Sequence, residues 1–152
     1  MKKLLLSLVV LLSSLSGFAI TPFLEFAPVV AGGSTCRFNV QGGIYEKVHP
    51  NFGLGAGIGI TEQWNFKYGP LIPIFVRGDV SGKVGGVNPF FSLDIGYGIN
   101  TDNTDCGAVV VNPMVGLNFG RWYAGIGYEA LCWTPKWADT SNCFNMKIGY
   151  KF

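Results

Sequence analysis

The sequence predicts an all-β protein: an eight-stranded antiparallel up-and-down transmembrane β-barrel, preceded by a cleavable signal peptide. Three observations carry this reading. Eight segments alternate apolar and non-apolar residues with the period of two that defines a strand. The apolar rows contain no charge, whereas charged residues and glycines share the face that should become the core. That is the reverse of a soluble protein and the pattern of a barrel in lipid. Finally, no stretch after residue 19 approaches the ~20 apolar residues of a membrane helix, although only 13% of the chain is charged.

The first residues read as an export signal. Lys2 and Lys3 form a basic start, Leu4 to Leu12 an apolar run, and Gly17-Phe18-Ala19 a small-x-small cleavage site. The run is short for a bilayer span, so an uncleaved anchor is the lesser reading. The expected division is a signal peptide over 1–19 and one barrel domain over 20–152. Removing 1–19 leaves nine basic against nine acidic residues. A neutral chain has no electrostatic reason to bind nucleic acid.

Strands are expected at 23–31, 36–46, 51–61, 70–80, 88–99, 108–119, 121–132 and 143–152. The first presents Leu24, Phe26, Pro28 and Val30 to lipid, the second Phe38, Val40, Gly42 and Ile44. The third presents Phe52, Leu54, Ala56, Ile58 and Ile60, the fourth Ile72, Ile74 and Val76. Phe91, Leu93, Ile95, Tyr97 and Ile99 form the fifth row, and Val111, Pro113, Val115 and Leu117 the sixth. Trp122, Ala124, Ile126, Tyr128 and Ala130 form the seventh. The last is the cleanest, with Phe144, Met146, Ile148, Tyr150 and Phe152 alternating with Asn145, Lys147, Gly149 and Lys151. The opposite phase would put charges into six of the eight rows.

The inner face is then left with a charge network of Glu25, Arg37, Arg77, Asp79, Asp94, Glu129, Lys147 and Lys151, four acids and four bases. An eight-stranded interior is only just wide enough for side chains, and enclosed charges must pair. Equal numbers fit a plug of salt bridges better than an open channel. Gly53, Gly55, Gly57 and Gly59 give facing side chains room. The string GLGAGIGI lacks the spacing of a phosphate-binding loop and has no helix after it.

An even strand count puts both termini on one side, periplasmic in bacterial barrels. The connections near 46–51, 80–88 and 119–121 then face the periplasm. Those near 32–35, 61–69, 99–108 and 132–143 face outward, and they carry Trp64, Tyr68, Trp133 and Trp137, expected in an interfacial aromatic belt.

All four cysteines fall at the outer strand ends of this topology. An even count in an exported chain suggests disulfides. Cys132 and Cys143 flank one loop and pair first, leaving Cys36 with Cys106; the rival is Cys106 with Cys132. No CxxC or neighbouring histidine favours a metal. Asp102, Asp105 and Asp139 on outer loops match no calcium loop. The lone histidine, His49, lies in a periplasmic turn, at the wrong end for catalysis on the cell surface. Asp79, Asp94 and Glu129 are better explained as ion pairs than as acid–base catalysts. No catalytic residue, metal site or cofactor is therefore expected.

The eight rows and the ending Phe144-Asn-Met-Lys-Ile-Gly-Tyr-Lys-Phe152 resemble small bacterial outer-membrane β-barrels of the OmpA/OmpX-like general class, over residues 22–152. The resemblance implies the bacterial outer membrane, reached through the periplasm, and outer-membrane lipid as surroundings. It also implies assembly by the barrel-insertion machinery, with Phe152 as part of the signal that machinery reads. It transfers no active site. The leading expectation is a structural or interaction scaffold whose outer loops contact a surface ligand or protein. Alternatives are a narrow, porin-like pore, a lipid-modifying enzyme, and a soluble periplasmic lipocalin-like barrel with reversed faces and an apolar ligand.

Overall fold

The computed structural model describes residues 20–31, 36–63, 70–102, 105–134 and 140–152; at 29–31, 36–37, 62–63, 134 and 140–141 only the backbone is described. The expected signal peptide, 1–19, lies outside the described residues. Eight strands follow in order: β1 (Thr21–Ala31), β2 (Cys36–His49), β3 (Phe52–Gln63), β4 (Leu71–Ser81), β5 (Pro89–Asn100), β6 (Gly107–Phe119), β7 (Trp122–Thr134) and β8 (Thr140–Lys151). Each is antiparallel to its sequence neighbours, and β1 pairs with β8, which closes the barrel.

The faces are those the alternation requires. Leu24, Phe26, Leu54, Ile58, Ile74, Val76, Ile95, Val115, Ile126, Phe144, Met146 and Ile148 are exposed on the outside, while Glu25, Arg77, Asp79, Asp94, Glu129 and Lys147 are buried within. A lipocalin-like pocket needs the reverse arrangement. At the end that holds the turns and Phe152, Trp122 meets Tyr150 at 4.8 Å between ring centroids, and Tyr150 meets Phe152 at 5.1 Å.

The turns at this end are short for identifiable reasons. The β6–β7 hairpin closes on Gly120 and Arg121, with Gly120 at φ 68°, the first central position of a type II′ turn. The connection between β4 and β5 is a small hairpin of its own. Val84 and Val87 exchange both backbone hydrogen bonds across Gly85 and Gly86, whose φ values of 55° and 87° fit a type I′ turn.

Six of the eight strands are longer than the sequence implies, whereas β4 and β5 keep the expected length and are displaced by one residue. β2 runs to His49 rather than 46, because Glu46 and Lys47 continue the regular ladder with β3 and a register shift between Lys47 and His49 carries the pairing on to Phe52. β7 and β8 reach Thr134 and Thr140, so the loop expected over 132–143 shrinks to 135–139. The ladders are interrupted at three prolines. The β1–β8 register skips Pro28, the β3–β4 register skips Pro73 opposite Gly59 and Ile60, and the β6–β7 register skips Asn112 and Pro113. Proline has no N–H to give a ladder.

Candidate functional site

The interior is layered along the barrel axis. At its centre stand Glu25 from β1, Arg77 from β4, Asp94 from β5 and Lys147 from β8. Arg77 donates to both carboxylates in bidentate fashion: Nη1 and Nη2 to Glu25 at 2.6 and 2.8 Å, and Nε and Nη2 to Asp94 at 2.6 and 2.7 Å. Lys147 Nζ donates to Asp94 Oδ2 at 2.8 Å and lies 3.7 Å from Glu25 Oε2. Two anions thus meet two cations, all but completely shielded from solvent. Burial of this kind is tolerable only with such complete pairing.

Aromatic rings continue the interior toward the turn end. Phe23, Tyr45 and Phe75 form one cluster, and Phe90, Met114 and Tyr123 another. Tyr123 donates to Glu25 at 2.6 Å and Tyr45 to Asp79 at 3.1 Å. The Arg77 guanidinium lies 4.7 Å from the Phe23 ring centroid, and Lys151 Nζ 4.3 Å from that of Tyr45. The cavity among these groups is about 10 Å³, the room of a single water.

The glycines of β3 make space as anticipated. A methyl at Gly57 would come within 2.6 Å of Phe75 Cζ and one at Gly59 within 2.8 Å of Gln41 Cγ, while Tyr45 covers Gly53. Toward the loop end the lining changes again. Asn39, Gln41, Asn112 and Asn145 are buried, and each carries a side-chain nitrogen or oxygen without a hydrogen-bond partner. Beyond them Leu71, Ala108, Val110 and Leu131 form an apolar cluster.

The expected charge network is therefore assembled only in part. Glu25, Arg77, Asp94 and Lys147 form one knot. Asp79 and Lys151 belong to the tyrosine layer, and Glu129 lies nearer the loop end, opposite Cys143. The side chain of Arg37 lies outside the described residues. Sequence reasoning missed Tyr45 and Tyr123 as interior hydrogen-bond donors; their signal was parity, each sharing the inward phase of a polar or glycine-rich row. The amide layer escaped it too, because asparagine and glutamine carry neither the charge nor the missing side chain that marks the inner face.

Two expectations need correction. No disulfide joins any two of Cys106, Cys132 and Cys143. Since β7 and β8 continue past both residues, Cys132 stands opposite Thr140 and Cys143 opposite Glu129. Their three-residue offset puts them on opposite sides of the wall, Cys132 exposed and Cys143 buried, where a bridge has no acceptable geometry. The rival partner Cys106 precedes β6 by one residue, whereas Cys132 pairs with Val109 further along it. The Cys36 side chain, half of the other expected bridge, is outside the described residues. Trp133, expected in an outer belt, instead packs against the apolar interior cluster at the loop end. Trp64, Tyr68, Trp137 and Asp139 lie outside the described residues.

His49 is exposed at the turn end, where its Nδ1 faces the Asn51 N–H at 3.4 Å. Among the described residues no three of His, Cys, Asp or Glu converge as a metal site.

A second feature lies on the outer wall. Where the β6–β7 ladder is interrupted there is a cleft of about 490 Å³. Phe91, Val115, Ile126, Tyr128, Phe144 and Met146 form its walls, with Pro113 and Gly127 at its base. Tyr128 and Phe144 meet edge to face at 5.6 Å.

No family model matches the chain, and no curated protein is significantly similar. Solved structures do match. The N-terminal β-barrel domain of Pseudomonas aeruginosa OprF shares 12% identity at TM-score 0.56, over 88% of this chain and 96% of that one. The outer membrane enzyme PagL shares 12% at TM-score 0.57, over 86% and 98%. A chain from the de novo design of transmembrane β-barrels shares 21% at TM-score 0.52, over 87% and 95%. At these identities the likeness is one of fold: this chain has the closed, eight-stranded antiparallel architecture of small outer-membrane barrels.

Proposed function

We propose that the protein is an integral barrel of the bacterial outer membrane, with a plugged interior, whose loop end is a platform for contacts at the cell surface. The observation that carries this reading is the inverted burial. Large apolar side chains are exposed around the whole circumference, whereas four mutually paired charges are sealed in the lumen. In water such a surface is an aggregation hazard, and in a bilayer it is the stable arrangement. The barrel-insertion machinery and outer-membrane lipid are the partners this assignment entails.

The plug argues against a conducting role. Arg77 and Lys147 bind carboxylates from β1 and β5 across the lumen, and the space beside them holds about one water. Catalysis is disfavoured on the same geometry: Glu25 and Asp94 are fully engaged by cations, and the one histidine sits at the turn end. PagL is an enzyme of the same fold, so fold alone does not separate the classes.

The test is heat modifiability of the protein from a washed outer-membrane fraction, run unboiled and boiled on a denaturing gel, together with flotation on lipid vesicles. A mobility shift and flotation are expected. Protein recovered soluble from the periplasm would overturn the assignment.

A further inference from the structure

We infer that the tyrosine layer binds one ordered water, sealed in the lumen, which joins Asp79 and Lys151 into a bridged ion pair with Ser92 as its third partner. This site goes beyond the function proposed above and requires only the closed barrel, whatever surrounds it.

Both charges stand outside the central knot. None of the interior ion pairs among the described residues includes Asp79 or Lys151. Asp79, on β4, is 4% exposed; its Oδ2 accepts from the Tyr45 hydroxyl at 3.1 Å, and its Oδ1 has no hydrogen-bond partner among the described residues. Lys151, the last residue of β8, holds its Nζ 4.3 Å from the Tyr45 ring centroid and 5.1 Å from that of Tyr123. A buried carboxylate without a counter-charge is costly, and ring faces compensate an ammonium only in part. The two charges flank one tyrosine, Asp79 at its hydroxyl and Lys151 over its face, without an ion-pair contact between them.

The space among these groups has the size and the lining of a water site. A cavity of about 10 Å³ is lined by Asp79, Lys151 and Ser92, with Tyr45, Tyr123 and Arg77 around them, and a water needs about that much room. Ser92 stands directly opposite Asp79 in the β4–β5 ladder, so its hydroxyl shares the inner face with the carboxylate. It is 2% exposed, and its Oγ also lacks a partner among the described residues. Buried polar atoms normally have one. A single water satisfies all three groups: it accepts from Lys151 Nζ and donates to Asp79 Oδ1 and Ser92 Oγ, the usual complement of partners for a buried water.

The same lining selects against other occupants. The Asp79 carboxylate repels an anion, Lys151 and Arg77 repel a metal cation, and an organic ligand exceeds the volume. Arg77 does not compete for Asp79, because its Nε, Nη1 and Nη2 already donate to Glu25 and Asp94. A bridging water is nearly as favourable as a direct hydrogen bond. The bridge neutralises the tyrosine layer and ties the end of β8 to β4 and β5 on the opposite side of the closed sheet.

The experiment is a crystal structure of the full barrel in which ordered water is resolved, joined to a double-mutant cycle on the same protein. Density for one light atom within hydrogen-bond distance of Asp79 Oδ1, Ser92 Oγ and Lys151 Nζ is expected. A dry pocket, a direct Asp79–Lys151 contact, or a peak with the anomalous signal of chloride or a metal would overturn the site. In urea unfolding, Asp79→Asn and Lys151→Met should show a coupling of about tenfold in the unfolding equilibrium constant. Ser92→Val, whose side chain fills the place of the water, should reduce that coupling to about twofold or less. Coupling that is absent in the wild-type background, or undiminished in Ser92→Val, would overturn the bridge. If Ser92→Val gives no heat-modifiable band, the crystal density decides.

Discussion

Replacing Arg77 with methionine is the sharpest probe of the interior. The guanidinium makes four hydrogen bonds of 2.6 to 2.8 Å, two to each of Glu25 and Asp94. Without it, two sealed carboxylates face only Lys147, and the knot carries a net negative charge. Breaking a buried pair by removing one partner costs roughly 3–5 kcal/mol. The second variant turns this into a test of charge rather than packing. Glu25→Gln in the Arg77→Met background restores neutrality, keeps Asp94 with Lys147 at 2.8 Å, and leaves an amide oxygen to accept from Tyr123. The double variant should therefore recover about 2 kcal/mol relative to Arg77→Met alone. The assay is urea unfolding of the barrel in vesicles, followed by tryptophan emission and by the folded band on unboiled gels. An Arg77→Met cost within about 1 kcal/mol, the range of solvated ion pairs, would refute the buried knot. So would a double variant less stable than the single.

Further substitutions report on other layers. Ile126→Arg, at mid-wall on the outer face, should cost about 2–4 kcal/mol in a bilayer and far less in the Ile126→Ala control, as measured by the same unfolding curves. Gly57→Leu should abolish the heat-modifiable band, because a side chain there meets the Phe75 ring and the Gly42 carbonyl, whereas Gly78→Ala, with open space around it, should fold as wild type. Deleting Phe152 should slow assembly by the insertion machinery, as measured by the rate at which the unboiled folded band appears.

Strand number, order and facing were all legible, because a period of two is local and repeats in every strand. What escaped the sequence depended on register. Cys132 and Cys143 look like the ends of one loop until Thr134 and Thr140 extend their strands, and a three-residue offset then separates them by the thickness of the wall. The charge knot was foreseen as a set of residues. Which of eight charges meet depends on the stagger of the closed barrel, which brings β1 and β4 side chains together across the lumen. The interior rings of Phe23, Phe75 and Phe90 were hidden for another reason. Each is flanked by outward apolar residues, as Phe75 is by Ile74 and Val76, so the alternation vanishes locally into a continuous apolar run. The tyrosines and amides are neither charged nor glycine, the two residue classes that mark the lumen face in the sequence.

The four strands that supply the knot also dictate the order in which it can be completed. Glu25 sits on the first strand and Lys147 on the last, so the final cation arrives only when β8 docks beside β1. The strands β1 to β5 carry Glu25, Arg77 and Asp94, whose charges sum to one negative in excess. Docking of the last strand neutralises that excess in the same motion that removes the two open edges. An incomplete barrel is thus penalised twice in lipid, by unpaired backbone and by uncompensated charge. Closing the ladder and neutralising the lumen therefore coincide in the docking of β8 beside β1.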